Sequence, residues 1–214
     1  MSEIKEKELF IFDWDGTLST STLIVAASRI FRRGYNPKNI EKKQEFYKKL
    51  GNSKGKGLSL ELKQDRSKIF AVIYDFYARF YMPKTKKNSI ELLLELNKKK
   101  KTVTLFSDSR SYRLMNEMRC LNVIKYFDFI LSASSVGAYK PDPTGILFII
   151  NKYGIDKKKV VYIGDTVSDI MASKFAGVSS CIVADGLEPI EKIREAKPDY
   201  LFESLSDLYK AIQK

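Results

Sequence analysis

Leu9-Phe10-Ile11-Phe12-Asp13-Trp14-Asp15-Gly16-Thr17 runs four apolar residues into two carboxylates placed i and i+2, and then a glycine. An uninterrupted apolar run of this length reads as a strand buried on both faces, as in a parallel sheet. Side chains two apart on a strand point the same way, so Asp13 and Asp15 can converge where the strand ends. Gly16 lets the chain turn sharply there. Open parallel sheets bind ligands beyond the carboxyl ends of their strands, and two like charges at such an edge repel unless a cation or a proton lies between them. The pattern asks for a metal-assisted carboxylate site. An exposed Asp-Gly turn after a core strand is the bland alternative, and the other strand ends must decide between the two.

Composition narrows the chemistry. The 214 residues suffice for one large domain or a domain with a sizeable insertion, and 44% hydrophobic with 30% charged residues is a globular balance. There are no histidines, which excludes Ser-His-Asp and Cys-His catalysis and His-ligated zinc. Cys120 and Cys181 form no CxxC pair and read as neutral thiols in a reducing compartment. Met1-Ser2-Glu3-Ile4-Lys5-Glu6 lacks the order of a signal peptide, and no apolar run approaches the ~20 residues of a bilayer span. A cytoplasmic protein with no membrane partner is expected. The net charge of +12 is concentrated: residues 19–86 hold 16 Lys and Arg against 5 Asp and Glu, the remainder 22 against 21. A basic block of this kind attracts anions, though lysine-rich drift on solvated helix faces is an equal reading.

Beyond Thr17 the pattern turns helical. Thr20–Arg33, Pro37–Leu50 and Ser67–Met82 each suit an amphipathic helix. In the last, Ile69, Phe70, Ile73, Phe76, Tyr77 and Phe80 form a stripe better suited to core packing than to base stacking. Gly51-Asn52-Ser53-Lys54-Gly55-Lys56-Gly57 fails the P-loop spacing and follows a helix, so it reads as a basic loop. Residues 19–86 therefore read as a helical cap domain inserted into a core made of 1–18 and 87–214. In that core, strands are expected at Thr102–Phe106, Phe127–Ser132, Lys159–Gly164, Ser180–Val183 and Tyr200–Phe202. Helices are expected at Ser89–Asn97, Tyr112–Cys120, Thr144–Tyr153, Asp169–Ala176 and Leu205–Gln213, with a loop from Ser134 to Lys140. The alternation predicts an α/β fold with a doubly wound, Rossmann-like parallel sheet.

Four strand ends then carry complementary groups: Asp13 and Asp15, Ser107, Lys140 in the loop after the third strand, and Asp165 with Asp169 four residues on. Carboxylates, one hydroxyl and one ammonium on one sheet edge suit a divalent cation and a phosphate. Simpler roles exist for single members: Ser107 as a helix cap, Asp169 as a favourable charge at a helix N-terminus, Lys140 as a surface lysine. Asp108 and Arg110 stand near the same edge.

The four segments Phe12-Asp13-Trp14-Asp15-Gly16-Thr17, Ser107, Lys140-Pro141 and Gly164-Asp165-Thr166-Val167-Ser168-Asp169 resemble, in order, the motifs of the haloacid dehalogenase-like hydrolases. The likeness is to the phosphatase branch near phosphoglycolate phosphatase and β-phosphoglucomutase. It implies Asp13 as nucleophile and Asp15 as general acid and base. It further implies Ser107 and Lys140 on the phosphoryl oxygens, and Mg²⁺ held by Asp13, the Asp15 carbonyl, Asp165 and Asp169. Asp15 points to phosphate chemistry, since the dehalogenases lack an aspartate there. The substrate implied is a small anionic phosphorylated metabolite, and the expected state is a monomer or homodimer. Trp14, bulkier than the usual Leu or Met, and the hydroxyl-only stretch Ser19-Thr20-Ser21-Thr22 depart from the family. The alternatives are a phosphomutase, a phospho-Asp regulatory module resembling a receiver, and, less favoured, a nucleic-acid binder acting through the basic block.

Overall fold

The computed structural model describes residues 3–20, 83–186 and 188–213. The helices expected at Thr20–Arg33, Pro37–Leu50 and Ser67–Met82 and the expected basic loop 51–57 lie outside the described residues, apart from Thr20 itself. The described segments on either side of residues 21–82 run side by side. Ser19 bridges Thr85, the Thr20 amide donates to the Lys84 carbonyl at 2.8 Å, and the Lys86 amide donates to the Leu18 carbonyl at 2.9 Å.

The described residues form one six-stranded sheet. In chain order the strands are β1 (Leu9–Phe12), β2 (Thr102–Ser107), β3 (Phe129–Ser132), β4 (Val160–Gly164), β5 (Ser179–Val183) and β6 (Tyr200–Phe202), and the spatial order is β3-β2-β1-β4-β5-β6. Every pairing is parallel. The helices are α1 (Ser89–Lys98), α2 (Ser111–Cys120), α3 (Ala133–Val136), α4 (Thr144–Tyr153), α5 (Val167–Ala176), α6 (Ile190–Glu195) and α7 (Leu205–Gln213). This is the doubly wound arrangement expected.

β1 is central because its side chains have no polar face to offer: Leu9 and Ile11 enter one core layer, Phe10 and Phe12 the other. The first layer packs Phe106, Leu131 and Tyr162 against Ile146, Ile149 and Ala172 of α4 and α5. The second packs Val103, Leu105 and Val161 against Leu92, Leu96, Leu114, Met118 and Leu208 of α1, α2 and α7. Phe12 is in register with Leu105 on one side and Ile163 on the other, and Ser107 lies opposite Ser132. The residues that follow β1, β2 and β4 are thereby delivered to one edge.

Several boundaries differ from those read in the sequence. A 3₁₀ turn at Ile124–Tyr126 delays β3 to Phe129. Part of the expected Ser134–Lys140 loop is α3, whose first turn is held by the Ser132 side chain accepting from the Ser134 amide. α5 begins at Val167, because Thr166 and Asp169 build a reciprocal capping box. α6 has no counterpart in the sequence reading; at six residues, its periodicity is too short to stand out.

Gly145 on α4 marks the tightest helix-to-sheet approach: a Cβ there would lie 2.2 Å from the Phe106 ring. Gly145→Ala is expected to cost about 1–3 kcal/mol through overpacking. Thermal unfolding will show a midpoint several degrees below that of the parent; an unchanged midpoint would mean that the layer is looser than described.

Candidate active site

The sheet edge gathers three carboxylates. Asp13 follows β1, its amide donating to the Ile163 carbonyl at 2.8 Å. Asp165 follows β4, and Asp169 sits in the first turn of α5. One oxygen from each lies within 4.8 Å of the others, and all three residues are buried. Lys140 enters the same space from the α3–α4 loop. Its Nζ lies 2.9 Å from Asp13 Oδ2 and 2.6 Å from Asp169 Oδ1.

Each group is aimed by its surroundings. The Lys140 ammonium also donates to the Tyr162 hydroxyl at 2.9 Å, which in turn donates to the Phe106 carbonyl at 2.9 Å. The Lys140 amide donates to Asp108 Oδ1 at 2.9 Å, giving Asp108 a definite place at the edge. Asp169 Oδ2 accepts from the amides of Asp165 (3.1 Å) and Thr166 (3.0 Å) and from the Thr166 hydroxyl (2.6 Å). Asp169 is thus both a helix cap, close to the simpler role its position allowed, and an ion-pair partner of Lys140. Gly16 has φ +82°, and a Cβ there would sit 2.2 Å from Asp165 Oδ2. Only glycine permits both the turn and the approach.

The electrostatics are unbalanced. Three carboxylates face one ammonium, and two buried like charges at this spacing repel by roughly 3 kcal/mol at an effective dielectric of about 20. Burial, together with Asp169, Asp165 and Asp15, outweighs Lys140 and pushes the Asp13 carboxyl up to about 7. Burial alone would lower the Lys140 ammonium, but Asp13 and Asp169 overturn this and hold it well above its usual range. Buried hard oxygen donors in surplus over cationic groups are the donor set of a divalent ion. The residues present therefore fit a bound metal, with Asp13 and Asp165 aimed into the cluster and Asp169 bound up in orienting it.

The remaining expected residues lie alongside. Ser107 Oγ accepts from the Ser109 amide and donates to Ser109 Oγ, both at 3.1 Å. The carboxylate triangle does not include Asp15. β1 ends at Phe12, so the strand geometry that would align Asp13 with Asp15 stops short, and the Asp15 carboxylate meets α2. Its Oδ2 accepts from Ser109 Oγ at 2.5 Å and from Arg113 Nη2. Arg113 Nη1 pairs with Glu117 at 3.1 Å, and Glu117 Oε2 accepts from Trp14 Nε1 at 2.7 Å. Ser109, Arg113 and Glu117 were missed by sequence reasoning. The available signal was a charged i, i+4 pair on the helix directly after Ser107, with Glu117 on its otherwise apolar side.

A sequence model described as haloacid dehalogenase-like hydrolase matches residues 10–183. The chain belongs to that family. It is 27% identical over 224 residues to phosphoglycolate phosphatase of Vibrio parahaemolyticus, covering 96% of each chain. It is 24% identical over 209 residues to pyrophosphatase PpaX of Listeria monocytogenes, covering 92% of this chain and 93% of that one. Among solved structures, a protein from Haemophilus somnus described as a predicted phosphoglycolate phosphatase superposes with a TM-score of 0.70 at 21% identity. That match covers 96% of this chain and 98% of the other. The haloacid dehalogenase-like hydrolase fold expected from the sequence holds over the described core. No helix among the described residues is long and apolar enough to cross a membrane.

The raised Asp13 carboxyl has a thermodynamic consequence. An aspartate near 4 when unfolded and near 7 when folded takes up a proton on folding between those values, so its effect lowers stability as pH rises through that window. In chelator, Asp13→Asn is expected to flatten the pH dependence of thermal unfolding between pH 4 and pH 7, and Mg²⁺ to stabilise the parent more at pH 8 than at pH 5. Equal stabilisation at both pH values would count against Asp13 as a ligand.

Proposed function

We propose that this hydrolase is a Mg²⁺-dependent phosphatase that cleaves a small phosphorylated metabolite, a phosphoglycolate-like phosphomonoester, through an aspartyl-phosphate on Asp13. The single observation that carries the reading is Lys140 bridging Asp13 and Asp169 inside a surplus of buried carboxylates. Such a site is short of positive charge when empty and is suited to a dication together with a phosphoryl dianion.

In this reading Asp13 Oδ attacks phosphorus while the ester P–O bond breaks, and the leaving oxygen takes a proton from Asp15. Water then attacks phospho-Asp13, giving its proton to Asp15 and releasing phosphate. Lys140 and Ser107 hold the equatorial oxygens as charge gathers on them. Asp13, Asp165 and the Asp15 main-chain carbonyl would hold Mg²⁺, with Asp169 orienting the set. Bound there, the ion would neutralise charge on the transferring phosphoryl group. The absence of histidine is no obstacle, because phosphoryl transfer asks mainly for positioning and charge neutralisation. Support also comes from relatives named phosphoglycolate phosphatase and pyrophosphatase.

A phosphate-release screen with Mg²⁺ tests the reading. Its panel holds phosphomonoesters including phosphoglycolate, with pyrophosphate for comparison, and runs beside Asp13→Asn. Release from a monoester should fall by ~10³-fold or more in the variant and stop in chelator. Release that survives in both would defeat the assignment.

A further inference from the structure

Arg113 stands between two buried carboxylates contributed by different parts of the chain. Its Nη2 meets Asp15 Oδ2 and its Nη1 meets Glu117 Oε1, while the second Glu117 oxygen is fixed by Trp14. Glu117 and Trp14 are about 1% and 0% exposed. The indole N–H spends its one hydrogen bond on a carboxylate and not on solvent, and Trp14 is the only tryptophan in the chain. Ser109 completes the arrangement. Its hydroxyl donates to the same Asp15 oxygen and accepts from Ser107, which ties the phosphate-binding hydroxyl to the acid.

We propose that Arg113, locked by Glu117 and Trp14, is the positioning residue that aims the Asp15 carboxyl for proton transfer to the leaving group. The inference rests on the phosphatase reading and adds to it a second layer of residues. The arginine fork is the chemical requirement: its N–H groups lie in one rigid plane and so fix the direction of both carboxylates, whereas a lysine ammonium turns freely on a flexible stem. With Arg113 and Ser109 both donating to Oδ2, the proton that Asp15 carries belongs on Oδ1. That proton goes to the ester oxygen as the P–O electron pair departs, and Oδ1 later receives the proton of the attacking water. Trp14 also gains a reason: a leucine or methionine in its place has no donor for Glu117, and Glu117 would then hold Arg113 less firmly.

The test uses esters that differ in their need for that proton. An alkyl phosphate such as glycerol phosphate leaves as an alkoxide and requires it; p-nitrophenyl phosphate leaves as a stable phenolate and does not. kcat/KM covers the steps up to departure of the leaving group, so slow hydrolysis of phospho-Asp13 does not enter the comparison. Arg113→Met is expected to lower the alkyl-to-aryl ratio of kcat/KM by about 30-fold, part of the usual 10²–10⁴ of general acid catalysis. The aryl value itself should change less than about 3-fold, and Arg113→Lys should lie between. Arg113→Met together with Glu117→Gln removes the buried charge left without its guanidinium and should reproduce the same ratio in a folded protein. Parallel loss on both esters, or no loss, would overturn the role of Arg113 while leaving the phosphatase reading intact. A parent protein that hydrolyses neither these esters nor any phosphomonoester of the panel above would overturn both.

Discussion

The ammonium of Lys140, held between Asp13 and Asp169, is the interaction on which the rest of the edge depends. Three buried carboxylates at this spacing repel one another strongly, and a domain has only about 5–15 kcal/mol of stability from which to absorb it. One buried lysine offsets part of that repulsion. The residual negative charge is what a divalent ion would offset. Tyr162 below and Asp108 beside the lysine leave it little freedom to turn elsewhere.

The alternation of β1 divides the labour. Leu9 and Ile11 face the α4 and α5 layer, and Asp13, next in that alternation, meets Lys140 and Asp169 on the same side. Phe10 and Phe12 face the opposite layer, and Trp14 continues into it to reach Glu117 on α2. Where the strand gives way to the Gly16 turn, Asp15 is drawn to α2 as well. The two neighbouring aspartates therefore work in different surroundings: one among carboxylates and a lysine, the other against hydroxyl and guanidinium.

Much of this was legible in the sequence because it is local. Four apolar residues before Asp13 and the apolar helical run Thr144–Tyr153 each announce an element without help from distant residues. Asp13, Ser107 and Asp165 could be listed because they stand at or just beyond the ends of strands, and parallel strands share an edge. What could not be read was which partner each would choose. Arg113 lies 98 residues from Asp15, and Glu117 lies 103 from Trp14, so no periodicity connects them. The i+2 rule put Asp15 beside Asp13, but it holds only while the strand continues, and β1 stops one residue earlier. Trp14 looked like a departure from a family pattern; it has a hydrogen-bond partner that only folding brings within reach.

The most direct measurement is chemical trapping of the nucleophile. Protein quenched in acid during turnover with Mg²⁺ and a hydrolysed phosphomonoester, then reduced with borohydride, should yield homoserine at position 13 and at no other aspartate, as read by mass spectrometry of its peptides. Homoserine at a different position, or none while phosphate is being released, would contradict the central role of Asp13.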